Sequence, residues 1–268
     1  MARKQKYPQP IQEAPGNNIR LKNQIIPKNI TQQLYIESLR EATITLGEGP
    51  AGAGKTFLVV GIALEKLLNR EVHKIIITRP VVESDEKLGF LPGTLKEKLD
   101  PYLRPIYDAV EDHVGPTMAK KLIEDDSRIE IAPLAYMRGR TFNNAFVILD
   151  EAQNSTVNQM KMFLTRIGEN SFYCVNGDIN QSDLVKPVNK PASQWENGMQ
   201  YAIRKLANKT DFVQHIKFTP RDVVRSEAAA AIVAILEQPE NWRNDIDYPS
   251  QSKYSGADAA LFSSQGAD

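Results

Sequence analysis

Apolar positions along this chain follow two different spacings. Short runs rich in β-branched residues occur at Ala42-Thr43-Ile44-Thr45-Leu46, Lys74-Ile75-Ile76-Ile77-Thr78, Ile129-Glu130-Ile131-Ala132, Ala145-Phe146-Val147-Ile148-Leu149 and Phe172-Tyr173-Cys174-Val175, with Ile216-Lys217-Phe218 as a shorter final candidate. These read as strands, and the unbroken apolar ones suit strands buried on both faces. Between them the spacing turns helical: Leu58, Ile62 and Leu67, with Ala63 and Leu64 beside them, mark residues 57–68, and Val157, Met160, Leu164 and Ile167 recur in the same way. The alternation predicts an α/β fold, a mostly parallel central sheet with helices on both faces. No internal repeat interrupts it.

The link between the first strand and first helix changes the picture from fold to chemistry. Gly49-Pro50-Ala51-Gly52-Ala53-Gly54-Lys55-Thr56 fits G-x-x-x-x-G-K-[ST], whose backbone N–H groups wrap phosphates and whose lysine neutralises the outer ones. Glycines permit positive φ and close backbone approach, and the helix start adds unpaired N–H groups and a positive dipole end. Strand, loop and helix occur in the order such a site requires.

A second strand end supplies metal chemistry. Residues 145–149 run into Asp150-Glu151-Ala152-Gln153, and carboxylates at the end of a buried strand are costly unless they have a task. Asp150 and the Thr56 hydroxyl are candidates to hold Mg²⁺, with Glu151 orienting and deprotonating an attacking water. The competing reading is a helix cap, which Asn154-Ser155-Thr156 could provide as well. An acid beside the metal carboxylate favours ATP hydrolysis over transfer to a small acceptor. A third strand ends in Asn176-Gly177-Asp178-Ile179-Asn180-Gln181, where Gln181 could bond the γ-phosphate or the water; the alternative is an ordinary turn.

Longer stretches carry a family resemblance. Thr78-Arg79-Pro80, Leu88-Gly89-Phe90-Leu91-Pro92-Gly93, Pro101-Tyr102-Leu103-Arg104-Pro105, Ile131-Ala132-Pro133-Leu134-Ala135-Tyr136-Met137-Arg138-Gly139-Arg140-Thr141, Asp150-Glu151-Ala152-Gln153, the run from Gln159 to Gly168, Gly177-Asp178-x-x-Gln181 and Asp222-Val223-Val224-Arg225 together resemble the PhoH family of P-loop ATPases. The resemblance covers about residues 27–235. It implies a RecA-like core related to superfamily 1 helicases, ATP hydrolysis and action on RNA, in a family associated with phosphate starvation. Departures are Ala53 where threonine is usual, Ser84-Asp85 where Ala-Gly is usual, Ser226 where histidine is common, and a longer, more polar stretch over 185–197. By resemblance, Gln32 is a candidate for the adenine edge and Thr78-Arg79 for nucleic-acid phosphates. Arg225, Arg138, Arg140 and Arg166 are candidates for a charge-stabilising arginine, Arg225 first among them. No PIN nuclease or KH-like module is expected in this chain.

Composition narrows the setting. Lys plus Arg and Asp plus Glu each number 33 among 268 residues, so net charge excludes no class of partner. The charge is uneven: Arg3, Lys4, Lys6, Arg20, Lys22 and Lys28 face Glu13 alone near the start, a basic arm that either follows a phosphate backbone or is a solvated tail. We expect an arm over 1–24, the ATPase domain over 25–240, and a polar, acidic, disordered tail over 241–268. No membrane-length apolar stretch or signal-peptide apolar region is present, so a cytoplasmic location is expected. Cys174, the sole cysteine, reads as a small core hydrophobe, and His73, His113 and His215 lack ligand spacing. Tyr102 and Tyr107 are either packed rings or stacking platforms for bases.

Since the chain holds one RecA-like lobe, the expectation is a homo-hexameric ring with ATP at subunit interfaces and an arginine supplied in trans. Its partner would be RNA or single-stranded DNA, making the chain an RNA helicase or remodeller. The alternative is an ATPase switch that regulates a protein partner without unwinding nucleic acid.

Overall fold

In the computed structural model, the described residues are 20–80, 95–184 and 195–224, with a few more between 228 and 235; side chains are described from residue 103 in the second of these stretches. The sheet has six parallel strands in the order β3-β2-β4-β5-β1-β6. These are β1 (Ile44–Glu48), β2 (Lys74–Thr78), β3 (Ile129–Ile131), β4 (Ala145–Leu149), β5 (Phe172–Gly177) and β6 (Val213–Lys217). Helices α1 (Ile30–Glu41), α2 (Lys55–Leu68), α3 (Leu95–Val114), α4 (Pro116–Glu124), α5 (Val157–Leu164) and α6 (Gly198–Leu206) complete a RecA-like P-loop core.

Strand alternation distributes the sheet's side chains between two cores. Ile75, Ile77, Phe146, Ile148 and Cys174 pack with α1 to α4 on one face, while Ile76, Val147, Leu149, Tyr173 and Val175 pack with α5 and α6 on the other. Both faces are covered, which is why these strands are apolar at successive positions. Cys174 is fully buried within the first core, as expected of a small hydrophobe, and burial pushes its thiol pKa up.

Two strand boundaries differ from expectation. The first strand lies at 44–48 instead of 42–46, because Ala42 closes α1, its N–H donating to Ser38 O at 2.9 Å. Gly47 and Glu48, poor strand formers by composition, are held by β5 and β6 together. Glycine is required at 47: a Cβ there would stand 2.4 Å from Asn176 Oδ1 and 2.9 Å from the Tyr35 ring. The last strand begins at Val213, three residues before the expected start, because Val213-Gln214-His215 pair with Ile44-Thr45-Leu46 along an edge where the apolar signal is diluted.

All strands being parallel, the carboxyl ends of β1, β2, β4 and β5 share one edge of the sheet. Strand β5 separates β1 from β4. Ligands bind beyond the carboxyl ends of such sheets.

Candidate functional site

The phosphate loop leaves β1 at Glu48 and enters α2 at Lys55. Gly49, Gly52 and Gly54 have φ of 146°, 84° and 87°, values that side-chain-bearing residues rarely adopt. Gly49 is also crowded, since a Cβ there would meet Phe218 Cβ at 2.5 Å. Lys55 Nζ donates to the carbonyls of Gly49 and Pro50 at 2.6 and 2.8 Å, so the lysine folds back over its own loop. Behind the loop, Val224 N–H donates to Gly52 O at 3.1 Å.

Gln32 also meets the loop, from α1. It is 3% exposed; its carbonyl accepts the Lys28 N–H at 2.8 Å and its amide donates to Ala53 O at 3.0 Å. Both ends of the side chain are thus engaged within the protein, and its observed role is to tie α1 to the phosphate loop.

Across the cleft, Asp150 follows β4. It is buried, and the Thr56 hydroxyl donates to its carboxylate at 3.2 Å. Burial pushes its pKa up, opposed by Arg79, the Thr56 hydrogen bond and Lys55, while Glu151 adds to the rise. Glu151 stands next to it with φ 53° and ψ 40°, a left-handed conformation uncommon outside glycine. Its side chain is half-exposed; one oxygen accepts from Arg79 Nη2 at 2.8 Å and the other from Gln153 Nε2 at 2.6 Å. The helix-cap reading of this pair fails. Thr156 caps α5 through a reciprocal box with Gln159, leaving Asp150 and Glu151 in the cleft.

The turn expected as the alternative for Asn176-Gly177-Asp178 lies just beyond them: β5 continues through Gly177, and buried Asp178 then opens a turn, its carbonyl accepting the Gln181 N–H at 3.1 Å and its carboxylate the Asn180 N–H at 3.0 Å. Gln153 Oε1 accepts the Asp178 N–H at 3.1 Å, so one glutamine joins the ends of β4 and β5. Gln181 is exposed and lines the same cleft.

Lys55, Thr56, Arg79, Asp150, Glu151, Asp178 and Gln181 surround a cleft of about 380 Å³, closed on one side by Asp108 and Asp112 of α3. Magnesium fits this donor set. It needs few protein ligands, keeping waters and phosphate oxygens for the rest, and here a hydroxyl and a buried carboxylate converge. Nearby, Asp178 Oδ2 is a buried oxygen without a hydrogen-bond partner, suited to a metal-bound water.

Other expected site residues lie elsewhere. Arg140 pairs with Glu130, which also receives Lys74 at the amino-terminal end of β2, and Arg166 donates to Met162 O while its carbonyl accepts the Phe142 N–H at 3.0 Å, just ahead of the start of β4. Both therefore sit at the sheet edge opposite the cleft. Arg138 is exposed and does not line the cleft. Arg225 and the ring of Tyr102 lie outside the described residues, whereas Tyr107 packs partly buried against the first core. Arg79, expected at nucleic-acid phosphates, lines the cleft as the ion-pair partner of Glu151. Arg79 and Gln153 were visible as polar residues at or just past strand ends. The contact of Arg79 with Glu151 depends on β2 lying beside β4, and that of Gln153 with Asp178 on β4 lying beside β5, pairings that the one-dimensional pattern does not state.

Among the described residues, no helix is long and apolar enough to cross a membrane.

Comparison with known proteins agrees with the motifs. The family described as "PhoH-like protein" matches residues 24–237. A PhoH-like protein of Mycobacterium tuberculosis is 47% identical over 224 residues, covering 82% of this chain and 61% of the relative. One from Bacillus subtilis is 46% identical over 225 residues, covering 84% and 66%, and Protein PhoH of Escherichia coli K12 is 43% identical over 203 residues, covering 75% and 55%. The chain thus spans about three fifths of the length of these relatives. Among solved structures, the Sulfolobus solfataricus SWI2/SNF2 ATPase core in complex with dsDNA is similar at 14% identity and a TM-score of 0.41, over 76% of this chain and 46% of that one.

Proposed function

We propose, from the premise that the chain belongs to the PhoH family, that its cleft binds ATP with magnesium and hydrolyses it. The observation that carries this reading is the convergence of Thr56 and Asp150 at 3.2 Å beneath the phosphate loop, with Glu151 adjoining. The loop's N–H groups and Lys55 would hold the phosphates, and Thr56 and Asp150 the metal, which neutralises charge on the phosphate oxygens. Glu151 would orient the attacking water and take its proton, and Gln181 would report the terminal phosphate. Replacing Glu151 by Gln keeps shape and removes basicity, so we expect nucleotide binding to survive and steady-state turnover to fall at least about a hundredfold. Wild-type turnover in Glu151→Gln would overturn the assignment.

The wider reading is an RNA helicase or remodeller that works as a hexamer on RNA or single-stranded DNA. Its support is the charge balance of the cleft: Lys55 and Arg79 face Asp108, Asp112, Asp150, Glu151 and Asp178, and Arg79 is paired with Glu151. With Arg79 the one arginine among the described lining residues and held by Glu151, a further charge-stabilising arginine would come from Arg225 or a neighbouring subunit. ATP turnover with and without single-stranded RNA or DNA, across a salt series, tests the polymer. Stimulation that falls with salt supports it, while indifference to both polymers favours the switch that acts on a protein partner. Sedimentation as a monomer with and without ATP would rule out the ring.

A further inference from the structure

Arg79 extends from the carboxyl end of β2 into the cleft and is the one arginine among the described lining residues. Its Nη2 donates to Glu151 Oε1 at 2.8 Å, and its Nε lies 3.8 Å from Asp150 Oδ2. The remaining Glu151 oxygen accepts from Gln153. Both oxygens of the assigned base are therefore engaged by donors, which compete with an attacking water for them. The Arg79–Glu151 pair is open to exchange on its carboxylate side, because the Glu151 side chain is 43% exposed and water can take over its bond, whereas Arg79, 17% exposed, stays in the cleft.

The same guanidinium lines the cleft with Lys55 and Thr56, where a triphosphate's terminal group would lie. A phosphate dianion offers a guanidinium two parallel charge-assisted bonds and competes well with a half-hydrated carboxylate. We propose that Arg79 is a positioning residue that restrains Glu151 until the terminal phosphate of ATP draws its guanidinium away. A diphosphate, lacking that group, leaves the restraint in place. The proposal rests on the reading of Glu151 as the base, and it ties release of the base to the substrate.

A binding cycle tests it on the full chain. Affinities for the imido analogue of ATP and for ADP, each with magnesium, would be measured for wild type, Arg79→Ala, Glu151→Gln and the double variant. If Glu151 and the terminal phosphate compete for Arg79, Glu151→Gln raises the preference for triphosphate over diphosphate about fivefold more when Arg79 is present than when it is alanine. Equal gains in the two backgrounds, which charge repulsion alone predicts, would overturn the proposal. Should Arg79→Ala not melt cooperatively, Arg79→Lys replaces it: its single charge cannot form the paired bonds, so the gain must shrink, and an undiminished gain counts against the proposal. Turnover of Glu151→Gln is read in parallel. Its persistence defeats the base assignment, whereas lost turnover with equal gains defeats only the restraint.

Discussion

Gln153→Ala should loosen the cleft and destabilise the fold together. Gln153 is 3% exposed, donates to Glu151 at 2.6 Å and accepts the Asp178 N–H at 3.1 Å. Truncation leaves that N–H facing a site packed tightly enough that a Cβ on Gly177 would stand 2.4 Å from Gln153 Oε1. An unpaired buried N–H costs about 1–3 kcal/mol, and the bond to Glu151, replaceable by water, adds about 0.5 kcal/mol. Lost packing of the side-chain stem adds about 1–2 kcal/mol. Freedom regained by the shortened residue returns about 1.5 kcal/mol. The net expectation is a loss of about 2.5 kcal/mol, read as a lower urea midpoint at unchanged slope. Glu151 also loses one of its two orienting donors, so turnover should fall about tenfold with nucleotide affinity nearly unchanged. Stability within 0.5 kcal/mol of wild type together with unaltered turnover would refute the view that Gln153 couples the ends of β4 and β5.

Lys55→Ala should weaken nucleotide binding at least about tenfold, measured by calorimetry, because the loop loses its cation for the outer phosphates. Tyr35→Phe should cost about 1–2 kcal/mol in urea unfolding, since the buried Tyr35 hydroxyl donates to Asn176 Oδ1 at 2.6 Å. Acid should weaken the sheet edge far from the cleft. The Arg140 hydrogen bond first, and Lys74 beside it, hold Glu130 down to about 2 from 4.5. A depressed carboxylate stabilises the fold above its unfolded value, so this contribution is complete above pH 4.5 and disappears as pH falls toward 2. With Arg140 36% exposed, screening reduces the effect to about 1 kcal/mol, and Glu130→Gln should flatten that part of the stability curve by the same amount.

Local chemistry is what the sequence alone determined. The phosphate loop, the buried run ending at Asp150-Glu151 and the polar end of β5 were legible because each joins a short-range pattern to residues that are expensive to bury without a task. Core strands were legible for the same reason, as apolar runs bounded by polar breaks. The ends of β1 and β6 were not: Gly47, Glu48 and Gln214 are in strands because of their neighbours' backbones, which no local propensity encodes. Only the tertiary structure placed β2 beside β4 and β5 between β4 and β1. That order brings Arg79 to Glu151, joins Gln153 to Asp178, and leaves Arg140 and Arg166 at the opposite edge. Strand order is set by packing across the whole sheet, so contacts between strand ends are invisible to a reading that proceeds along the chain.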